Sequence, residues 1–481
     1  MIRDIAQFSE KRYDLLIVGG GINGAAMAHL AALKGKRVAL LEKQDFASGT
    51  SSKSTKLVHG GLRYLENFEF AMVSQALKER YLQLKESPHL VKSLGFIIPI
   101  YQSGSRPFWK VKLGVFLYDW LCGKYSIGSS RPLTIKEVQH FLPGVKTEGL
   151  KGGVIYYDAQ MDDARLCLDN VLRASELGAD VANYVEVKTV DTKEQEMFYV
   201  RAVDQLTGKE FDVKAKKVVF TAGPWTDVLR RREDATCVQK IRTTKGVHLI
   251  LEDQISKHAM FLSSEKDSRM FFVVPYRGQT LVGTTDTDYS GNPDDIQVEE
   301  QDLEYLFNEV RTAFPSLNIL RKNIVGSFAG LRPLVFNKDH SPSRTSREHM
   351  FLESSSGLYY LIGGKYTTYR KIANDCLNRI FNNAFGEITD DFHLYASQLN
   401  KIQIAELSRE YKLEKVIVRQ LENTYGHRMR AVLDLVRENS SLGERICSCC
   451  DVIKAQIRFA KQEEMAQKKE DILSRRLSLS S

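Results

Sequence analysis

The residues most suggestive of chemistry are three glycines near the amino terminus. Gly19, Gly21 and Gly24 fit the pattern G-x-G-x-x-G and directly follow the apolar run of residues 13–18. In such a motif the first glycine permits a tight turn, the second lets backbone N–H groups approach a pyrophosphate, and the third allows close helix–strand packing. Glu42 follows at the distance, about 20 residues, at which an acid accepts hydrogen bonds from a ribose diol. With a strand before it and a helix after it, the pattern predicts a dinucleotide-binding unit.

Three further segments favour FAD as the dinucleotide. Residues 49–64 are dense in hydroxyls and glycine, which suits an extended cofactor, although a polar surface loop has the same composition. Residues 217–223 predict a strand that ends in the small-residue turn Thr-Ala-Gly. Residues 358–370 predict a strand, a glycine turn and a helix that starts near Thr367. The amino end of that helix would face a flavin and stabilise negative charge on the reduced ring.

The same segments resemble the FAD-dependent glycerol-3-phosphate dehydrogenases that feed electrons to quinone. The matching stretches follow the family's order and are residues 17–25, 50–52, 56–66, 157–165, 221–225, 245–248, 283–286, 330–333 and 363–370. Beyond about residue 375 the match is looser. The resemblance implies oxidation of sn-glycerol 3-phosphate to dihydroxyacetone phosphate by hydride transfer to FAD, with the electrons passed to a membrane quinone.

The resemblance also implies which residues form the site. Chemistry is expected at His59, Arg63, Arg332 and Lys365, and substrate contacts at Arg63, Tyr64, His248, Arg332, Arg347 and Lys365. Cofactor contacts are expected at Gly19, Gly21, Ile22, Asn23, Gly24, Glu42, Thr50, Ser51, Ser52, Lys56, Leu57, His59, Val187, Ala222, Gly223, Gly364, Thr367 and Thr368. No metal ligand is expected.

A histidine is the expected base. An alcohol is a good hydride donor only when its hydroxyl proton goes to a positioned base, and histidine titrates near neutral pH. His59 lies in the loop that the resemblance places beside the flavin ring, so it is the expected base; a hydrogen bond to the cofactor is its alternative role. His248, on a strand predicted at residues 247–251, is a second candidate base, a substrate contact or a core histidine.

A phosphate dianion needs several charge-assisted donors. Arg332, in a Gly-x-Arg-Pro pattern, indicates only an anion, because related oxidases hold a carboxylate there. Arg63 and Lys365 added to it point to phosphate, although a solvated or ion-paired charge is the usual fate of any one cation.

Three other functions stay open: a flavin-dependent amine or amino-acid oxidase on the same scaffold, an oxygen-using glycerol-3-phosphate oxidase, and a non-catalytic flavoprotein. The sequence shows neither the extra insertion of the oxygen-using oxidases nor the EF-hand loops of mitochondrial forms, which favours a dehydrogenase.

Two interleaved domains and a cap are expected to position these residues. The resemblance implies a combined α/β and α+β fold of the glycine-oxidase and amino-acid-oxidase type, in which a Rossmann-like FAD-binding domain is interleaved with an antiparallel-sheet substrate domain. Residues 1–387 are predicted to form this region and residues 388–481 a C-terminal helical cap. The predicted FAD unit comprises residues 14–66, 150–225 and 350–380, and the substrate domain comprises residues 67–149 and 226–349.

Residues 105–121 predict a helix that is apolar nearly all round. Trp109, Leu113, Phe116, Leu117 and Trp120 share one face, and Phe108, Val111, Val115 and Tyr118 cover much of the other. Such a helix is usually buried, but a cationic, tryptophan-bearing helix also suits a lipid interface. The resemblance implies peripheral attachment near the quinone pool, so one-sided membrane contact is favoured. With no apparent signal peptide or spanning segment, the expected location is cytoplasmic, at the inner face of the cell membrane.

The composition of the chain bears on the number of domains, the partners and the compartment. The 481 residues, 43% of them hydrophobic and 27% charged, suit two or three folded domains. A net charge of +8 suits anionic small molecules or an anionic membrane, and no nucleic-acid partner is expected. Seven cysteines predict a reducing compartment, and Cys447, Cys449 and Cys450 are expected to be free thiols because no second ligand pair follows them. A homodimer fits the sequence as well as a monomer.

Overall fold

The computed structural model describes residues 1–102, 107–194, 196–264, 266–267, 269–336, 349–388 and 392–479, with the backbone alone for Arg63, Asn67 and residues 192–194. The strands are β1 (Arg12–Tyr13), β2 (Leu15–Val18), β3 (Val38–Leu41), β4 (Leu57–Val58), β5 (Val91–Tyr101), β6 (Arg131–Leu133), β7 (Leu150–Met161), β8 (Asp180–Ala182), β9 (Val185–Glu194), β10 (Met197–Asp204), β11 (Glu210–Ala215), β12 (Val218–Phe220), β13 (Ile241–Leu251), β14 (Ala259–Ser263), β15 (Met270–Tyr276), β16 (Gln279–Gly283), β17 (Thr287–Asp288), β18 (Ile324–Val335), β19 (His349–Glu353) and β20 (Tyr359–Gly363). The α-helices are α1 (Gln7–Glu10), α2 (Ile22–Leu33), α3 (Phe70–Glu86), α4 (Phe108–Cys122), α5 (Ile135–Phe141), α6 (Asp163–Glu176), α7 (Thr226–Glu233), α8 (Glu300–Ala313), α9 (Tyr369–Ile380), α10 (Lys401–Glu410), α11 (Lys415–Tyr425), α12 (Met429–Glu438) and α13 (Lys454–Glu463).

A six-stranded sheet holds the predicted nucleotide unit. Its order is β19-β20-β12-β2-β3-β8, parallel except for the β19–β20 pair. Strand β2 is buried on both faces, as a continuous apolar run in a parallel sheet should be. Leu15 and Ile17 pack in a core shared with helices α2, α6 and α9, whereas Leu16 and Val18 pack against the four-stranded sheet β1-β11-β10-β9.

A larger, mostly antiparallel sheet forms the second main part of the fold. Its strands run in the order β17-β13-β16-β15-β14-β5-β7-β4, with β18 paired to β13 and β6 paired to β7. Helices α5 and α8 cover one face, and α3 and α4 cover the other. Strand β7, which begins the segment 150–225 predicted for the FAD unit, pairs in this sheet with β5 along nearly its whole length.

Helix α4 is amphipathic in the fold, although its sequence is apolar nearly all round. Val115, Tyr118 and Cys122 are buried, whereas four large side chains of the opposite face, Trp109, Leu113, Phe116 and Trp120, are 57–70% exposed. The predicted segment's first two residues, 105 and 106, lie outside the described residues. Among the helices described, none has both the length and the apolar character to cross a membrane.

The carboxyl-terminal helices α10–α13 pack around a core of their own. The chain then returns to the nucleotide unit, where Arg475 and Arg476 both donate hydrogen bonds to the buried carboxylate of Asp45. Burial raises the pKa of Asp45, but Arg476 and Arg475 overcome that effect and hold it below its usual value. Cys447 and Cys449 are bonded to each other, so the expectation of free thiols is wrong for these two residues. The overall architecture confirms the predicted fold class.

Candidate active site

A cavity of about 1400 Å³ lies where the six-stranded and the large antiparallel sheets meet. Its walls include the carboxyl ends of β2, β12 and β20 and side chains from β13, β15 and β18. Ligands of open α/β sheets bind at the carboxyl ends of the strands, so the position is the expected one. The volume exceeds the ~300–1,000 Å³ of an ordinary ligand pocket. It therefore has room for a dinucleotide together with a small substrate.

The nucleotide end of this cavity is built from backbone. Gly19 has φ +116°, a left-handed conformation that disfavours any side chain. A Cβ at Gly24 would lie 1.9 Å from the carbonyl oxygen of Gly19, so the turn and helix α2 can approach only without one. Helix α2 starts at Ile22, whose N–H donates to Ser51 Oγ at 2.9 Å, and its N-cap Gly21 has no side chain to cap it. The arrangement leaves a helix amino terminus at the cavity wall, where an anion is favoured.

Glu42 and Val187 lie at the same end. The Glu42 carboxylate accepts hydrogen bonds from the backbone N–H groups of Gly20 at 2.6 Å and Gln44 at 2.8 Å. Burial raises the pKa of Glu42. Each carboxylate oxygen can accept more than one hydrogen bond, so an incoming diol could still bind there.

The hydroxyl-rich segment joins the two sheets. Thr50 Oγ1 donates to the carbonyl of Leu331 on β18 at 2.7 Å. Lys56 is buried in an ion pair with Asp163, at 2.6 Å, and does not line the cavity. Of the expected cofactor contacts, Gly24, Ser52, Lys56 and Thr368 are not on the cavity wall, whereas Gly19, Gly21, Ile22, Asn23, Glu42, Thr50, Ser51, Leu57, His59, Val187, Ala222, Gly223, Gly364 and Thr367 are.

The second glycine turn lies opposite this segment. Gly363 and Gly364 have φ +73° and +98° and turn the chain from β20 into a short 3-10 turn before α9, so a helical start near Thr367 is present. The backbone N–H of His59 donates to Thr367 Oγ1 at 3.3 Å. The Nζ atom of Lys365 lies 3.6 Å from the centroid of the Tyr64 ring. The two segments thus hold each other at the cavity wall.

A buried polar network fixes the backbone beside His59. The N–H of Gly60 donates to Tyr118 Oη at 2.9 Å and to Asp158 Oδ1 at 3.2 Å. Tyr118 donates to the same carboxylate at 2.7 Å, and Arg80 donates to it at 2.7 Å. Tyr118 belongs to the buried face of α4, so the exposed helix and the His59 loop are in direct contact.

His248 also lines the cavity, but it is almost completely buried. It is only 2% exposed, its ring stacks on Phe328 at 4.8 Å, and its Nε2 lies 2.9 Å from Thr55 Oγ1. Its Nδ1 has no hydrogen-bond partner within the described part of the chain. Burial, with the charges of Arg332 and Lys56, lowers the pKa of His248 well below its usual value. A histidine kept neutral in this way is a weak proton acceptor, which favours His59 as base.

Arg332 is held in place from two sides. Its guanidinium donates to Thr284 Oγ1 at 2.7 Å and to Asp286 Oδ1 at 3.1 Å. A Cβ at Gly246 would lie 2.3 Å from an Arg332 nitrogen, so the facing strand needs glycine to accommodate the guanidinium. Asp286 neutralises part of this charge, and a bound anion must compete with it.

Two predicted cations cannot be compared with this geometry. Arg347 lies outside the described residues, and Arg63 is described only by its backbone, in the turn Leu62–Asn67 next to Tyr64. The remaining expected substrate contacts, Tyr64, His248, Arg332 and Lys365, line the one cavity together with His59.

Lys53, Thr284 and Asp286 also line the cavity, although the sequence does not single them out. Lys53 lines the cavity, and its Nζ lies 5.5 Å from the Phe328 ring centroid. Burial, with the charge of nearby Lys56, lowers the pKa of Lys53. These residues lie in or beside the family motifs, but only the fold shows that Thr284 and Asp286 contact Arg332 and that Lys53 lies near Phe328.

Comparison with known proteins identifies relatives over nearly the whole chain. The family model described as FAD dependent oxidoreductase matches residues 14–370, and that described as the C-terminal domain of alpha-glycerophosphate oxidase matches residues 387–481. A glycerol-3-phosphate dehydrogenase of Synechocystis is 35% identical over 99% of this chain and 91% of its own length. An aerobic glycerol-3-phosphate dehydrogenase of Staphylococcus aureus is 34% identical over 96% of this chain and 86% of its own. The crystal structure of the Bacillus halodurans glycerol-3-phosphate dehydrogenase complexed with FAD superimposes with a TM-score of 0.80 and 30% identity, covering 98% of this chain and 87% of that one.

Proposed function

Because this chain belongs to the family of FAD-dependent glycerol-3-phosphate dehydrogenases, we propose that it oxidises sn-glycerol 3-phosphate to dihydroxyacetone phosphate and passes the electrons to a membrane quinone. The chain is an FAD-dependent oxidoreductase. The observation that carries the proposal is the convergence of His59, Arg332 and Lys365 on the cavity whose other end is the nucleotide cradle.

The residues present fit FAD. A Cβ at Gly24 would clash with the backbone of the glycine turn, so the turn requires glycine there. The amino end of α2 opens onto the cavity at Gly21. Glu42 and Val187 offer a carboxylate and an apolar surface at the nucleotide end. Gly364 and Thr367 supply a turn at the opposite end. When bound, FAD supplies the acceptor for the hydride that leaves C2 of the substrate.

His59 is proposed to remove the proton of the C2 hydroxyl. The network of Asp158, Tyr118 and Arg80 holds the neighbouring Gly60 N–H, so the loop that carries the imidazole is fixed before substrate binds. A positioned base contributes roughly 10²–10⁴-fold to rate. In the same proposal, His248 forms part of the wall and does not carry the proton.

Lys365 and Arg332, with Arg63 and Tyr64, are proposed to hold the phosphate. A lysine over a tyrosine ring and an arginine held by a threonine and an aspartate are pre-positioned cations. Binding energy from a phosphate that does not react can be used to orient C2 for transfer. An amino-acid substrate carries an amine in addition to its carboxylate, and Lys365 and Arg332 would oppose that second, positive group where they line the cavity.

Turnover with an artificial dye acceptor tests the substrate. We expect oxidation of glycerol 3-phosphate, at least about 100-fold weaker oxidation of glycerol, and none of glycine or alanine. A preference for amino acids would support the amine or amino-acid oxidase instead. Bound FAD that none of these compounds reduces would support the non-catalytic flavoprotein.

The quinone acceptor is proposed from the exposed face of α4. Trp109, Phe116 and Trp120 are 66–70% exposed, Lys110 and Lys112 are exposed beside them, and Phe68, 77% exposed, follows the turn that packs against α4. Tryptophan with lysine on an amphipathic helix is typical of a helix that lies in a lipid interface. Such attachment would place the chain at the inner face of the cell membrane, with the His59 loop directly behind the lipid-contacting helix.

A vesicle co-sedimentation assay tests this contact. Trp109→Glu with Phe116→Glu should lower binding to anionic vesicles by more than about tenfold, because both apolar side chains leave the interface. The matched control replaces the exposed Ile402 and Val416 of the cap by Glu and should bind as the parent does. Equal binding by both double variants would remove α4 from the membrane contact.

A further inference from the structure

Three cysteines of the cap lie together in one short loop. The Sγ atoms of Cys447, Cys449 and Cys450 all lie within 4.8 Å of one another, and those of Cys447 and Cys450 are 3.4 Å apart. None of the three lines the cavity. The proposed oxidation of glycerol 3-phosphate has no use for them.

The loop is held closed from both sides. Ile446 donates its N–H to the carbonyl of Val452 at 3.0 Å, and a β-bridge joins Arg445 to Ile453. The Arg445 guanidinium donates to Asp451 at 2.8 Å. Because both ends of the loop are fixed, the three sulfur atoms stay together by the backbone and not only by the bond between two of them.

The donor set favours a thiophilic ion. Three thiolates are soft ligands that select Cu(I) or Zn²⁺ over hard cations. With a Zn–S distance of about 2.3 Å, sulfur atoms around a tetrahedral zinc lie about 3.8 Å apart, which is close to the Cys447–Cys450 separation already present. Within the described residues no further His, Cys, Asp or Glu joins the group, so a tetrahedral ion would keep one open position.

We propose that the reduced loop of Cys447, Cys449 and Cys450 is a binding site for one thiophilic d¹⁰ ion, Cu(I) or Zn²⁺. Cys449 is exposed and the other two are half-buried, so an ion reaches the sulfur atoms from solvent. Cys450 also packs against the small core that includes Leu477, at the end of the tail that binds Asp45. A bound ion therefore stabilises the cap where it joins the nucleotide unit.

The disulfide and the metal exclude each other, because thiolates bind the ion. A dithiol such as dithiothreitol reduces the Cys447–Cys449 bond to two thiols and becomes its own cyclic disulfide. Metal binding then displaces the thiol protons, so affinity rises with pH. The oxidised loop is predicted to bind no metal.

The test uses the FAD-loaded enzyme, reduced and freed of the dithiol under anaerobic conditions. Separate samples are titrated with Zn²⁺ and with Cu(I), in competition with a chromophoric chelator. We expect one ion per chain in at least one arm, protection of three thiols from maleimide, and unchanged glycerol 3-phosphate turnover. The arm that shows binding identifies the ion.

Two variants make the result decisive. Cys450→Ser keeps the pair that forms the disulfide and removes one ligand, so we expect at least about 100-fold weaker binding. Cys237→Ser removes a half-buried cysteine elsewhere and should leave stoichiometry and affinity unchanged. The proposal is overturned by an absence of stoichiometric binding in both arms, or by equal binding in the Cys450→Ser variant and the parent.

Discussion

The two ends of the catalytic cavity are built differently. The nucleotide end uses backbone: the turn at Gly19, the open start of α2, and Glu42 tied to its own neighbours. The proposed reaction end uses side chains from separate parts of the chain, since His59, Arg332 and Lys365 line the same cavity. A site built from backbone groups loses its ligand when an added side chain fills the space. A site built from side chains loses its function when a charged group or a proton acceptor is removed. Substitutions at the two ends should therefore have different signatures.

The largest effect is expected at the nucleotide end, because a protein molecule that lacks FAD lacks the hydride acceptor and cannot turn over. Gly24→Val places a Cβ 1.9 Å from the Gly19 carbonyl oxygen, and two backbone segments must separate to admit it. We expect the dissociation constant of FAD to rise by at least about tenfold, which corresponds to about 1.4 kcal/mol. The ratio of flavin to protein absorbance, followed over a series of FAD concentrations, measures it. Gly114→Ala, at an open position on α4, is the control and should retain FAD; full FAD content in Gly24→Val would refute the backbone account.

The next effect separates the two histidines of the reaction end. His59→Asn should lower kcat by roughly 10²–10⁴-fold with FAD retained, because the proposed base is lost. His248→Asn should lower kcat less and should leave the acidic limb of the pH–rate profile in place, because His248 is already neutral. Steady-state rates across pH compare them. A larger loss of kcat in His248→Asn than in His59→Asn, together with loss of the acidic limb, would indicate that His248 is the base.

A smaller effect is expected for the phosphate contacts. Lys365→Ala should lower kcat/KM for glycerol 3-phosphate by roughly 10–100-fold, the value of a hydrogen bond to a charged group. Turnover of glycerol, which lacks the phosphate, should change much less. Lys401→Ala, an exposed cation at the start of α10, is the control. Unchanged kinetics in Lys365→Ala would remove that residue from the site.

The last effect concerns stability and not turnover, and both ends share it. Burial lowers the pKa of His29, on α2, to about 3, and it also lowers the pKa of His248. Both histidines are protonated more readily in the unfolded chain, so each favours unfolding as pH falls below about 6.5. His29 should cost about 2 kcal/mol of unfolding free energy between pH 7 and pH 5, and His248 should act in the same direction. Thermal unfolding of His29→Asn and His248→Asn should depend less steeply on pH than that of the parent; identical slopes would contradict their burial as neutral groups.

The sequence predicted the two ends to different extents for a physical reason. The glycine turn, its strand and its helix are contiguous, so spacing alone indicates a dinucleotide site. The contact of Arg332 with Asp286 depends on strand pairing between residues far apart, and no local pattern contains it. Lys53 was overlooked because its burial against Phe328 is a property of the assembled sheets.

Helix α4 and the cysteine loop also have properties that their local sequence does not determine. The sequence of α4 is apolar on both faces, and only packing determines that Tyr118 is buried while Trp109 is exposed. The cysteine spacing lacks a second ligand pair, and only the closed loop shows that the three sulfur atoms meet. The pairing of strand β7 with β5 likewise joins segments far apart in the sequence, and neither segment alone specifies it.

The most direct test of the central claim is a two-step anaerobic measurement of the flavin spectrum. Glycerol 3-phosphate is mixed with the FAD-loaded enzyme, and a quinone analogue or oxygen is then added to the reduced sample. The account predicts complete bleaching by glycerol 3-phosphate and reoxidation at least about tenfold faster by quinone than by oxygen. A flavin that glycerol 3-phosphate leaves oxidised would contradict the proposed reaction, and faster reoxidation by oxygen would make the protein an oxidase.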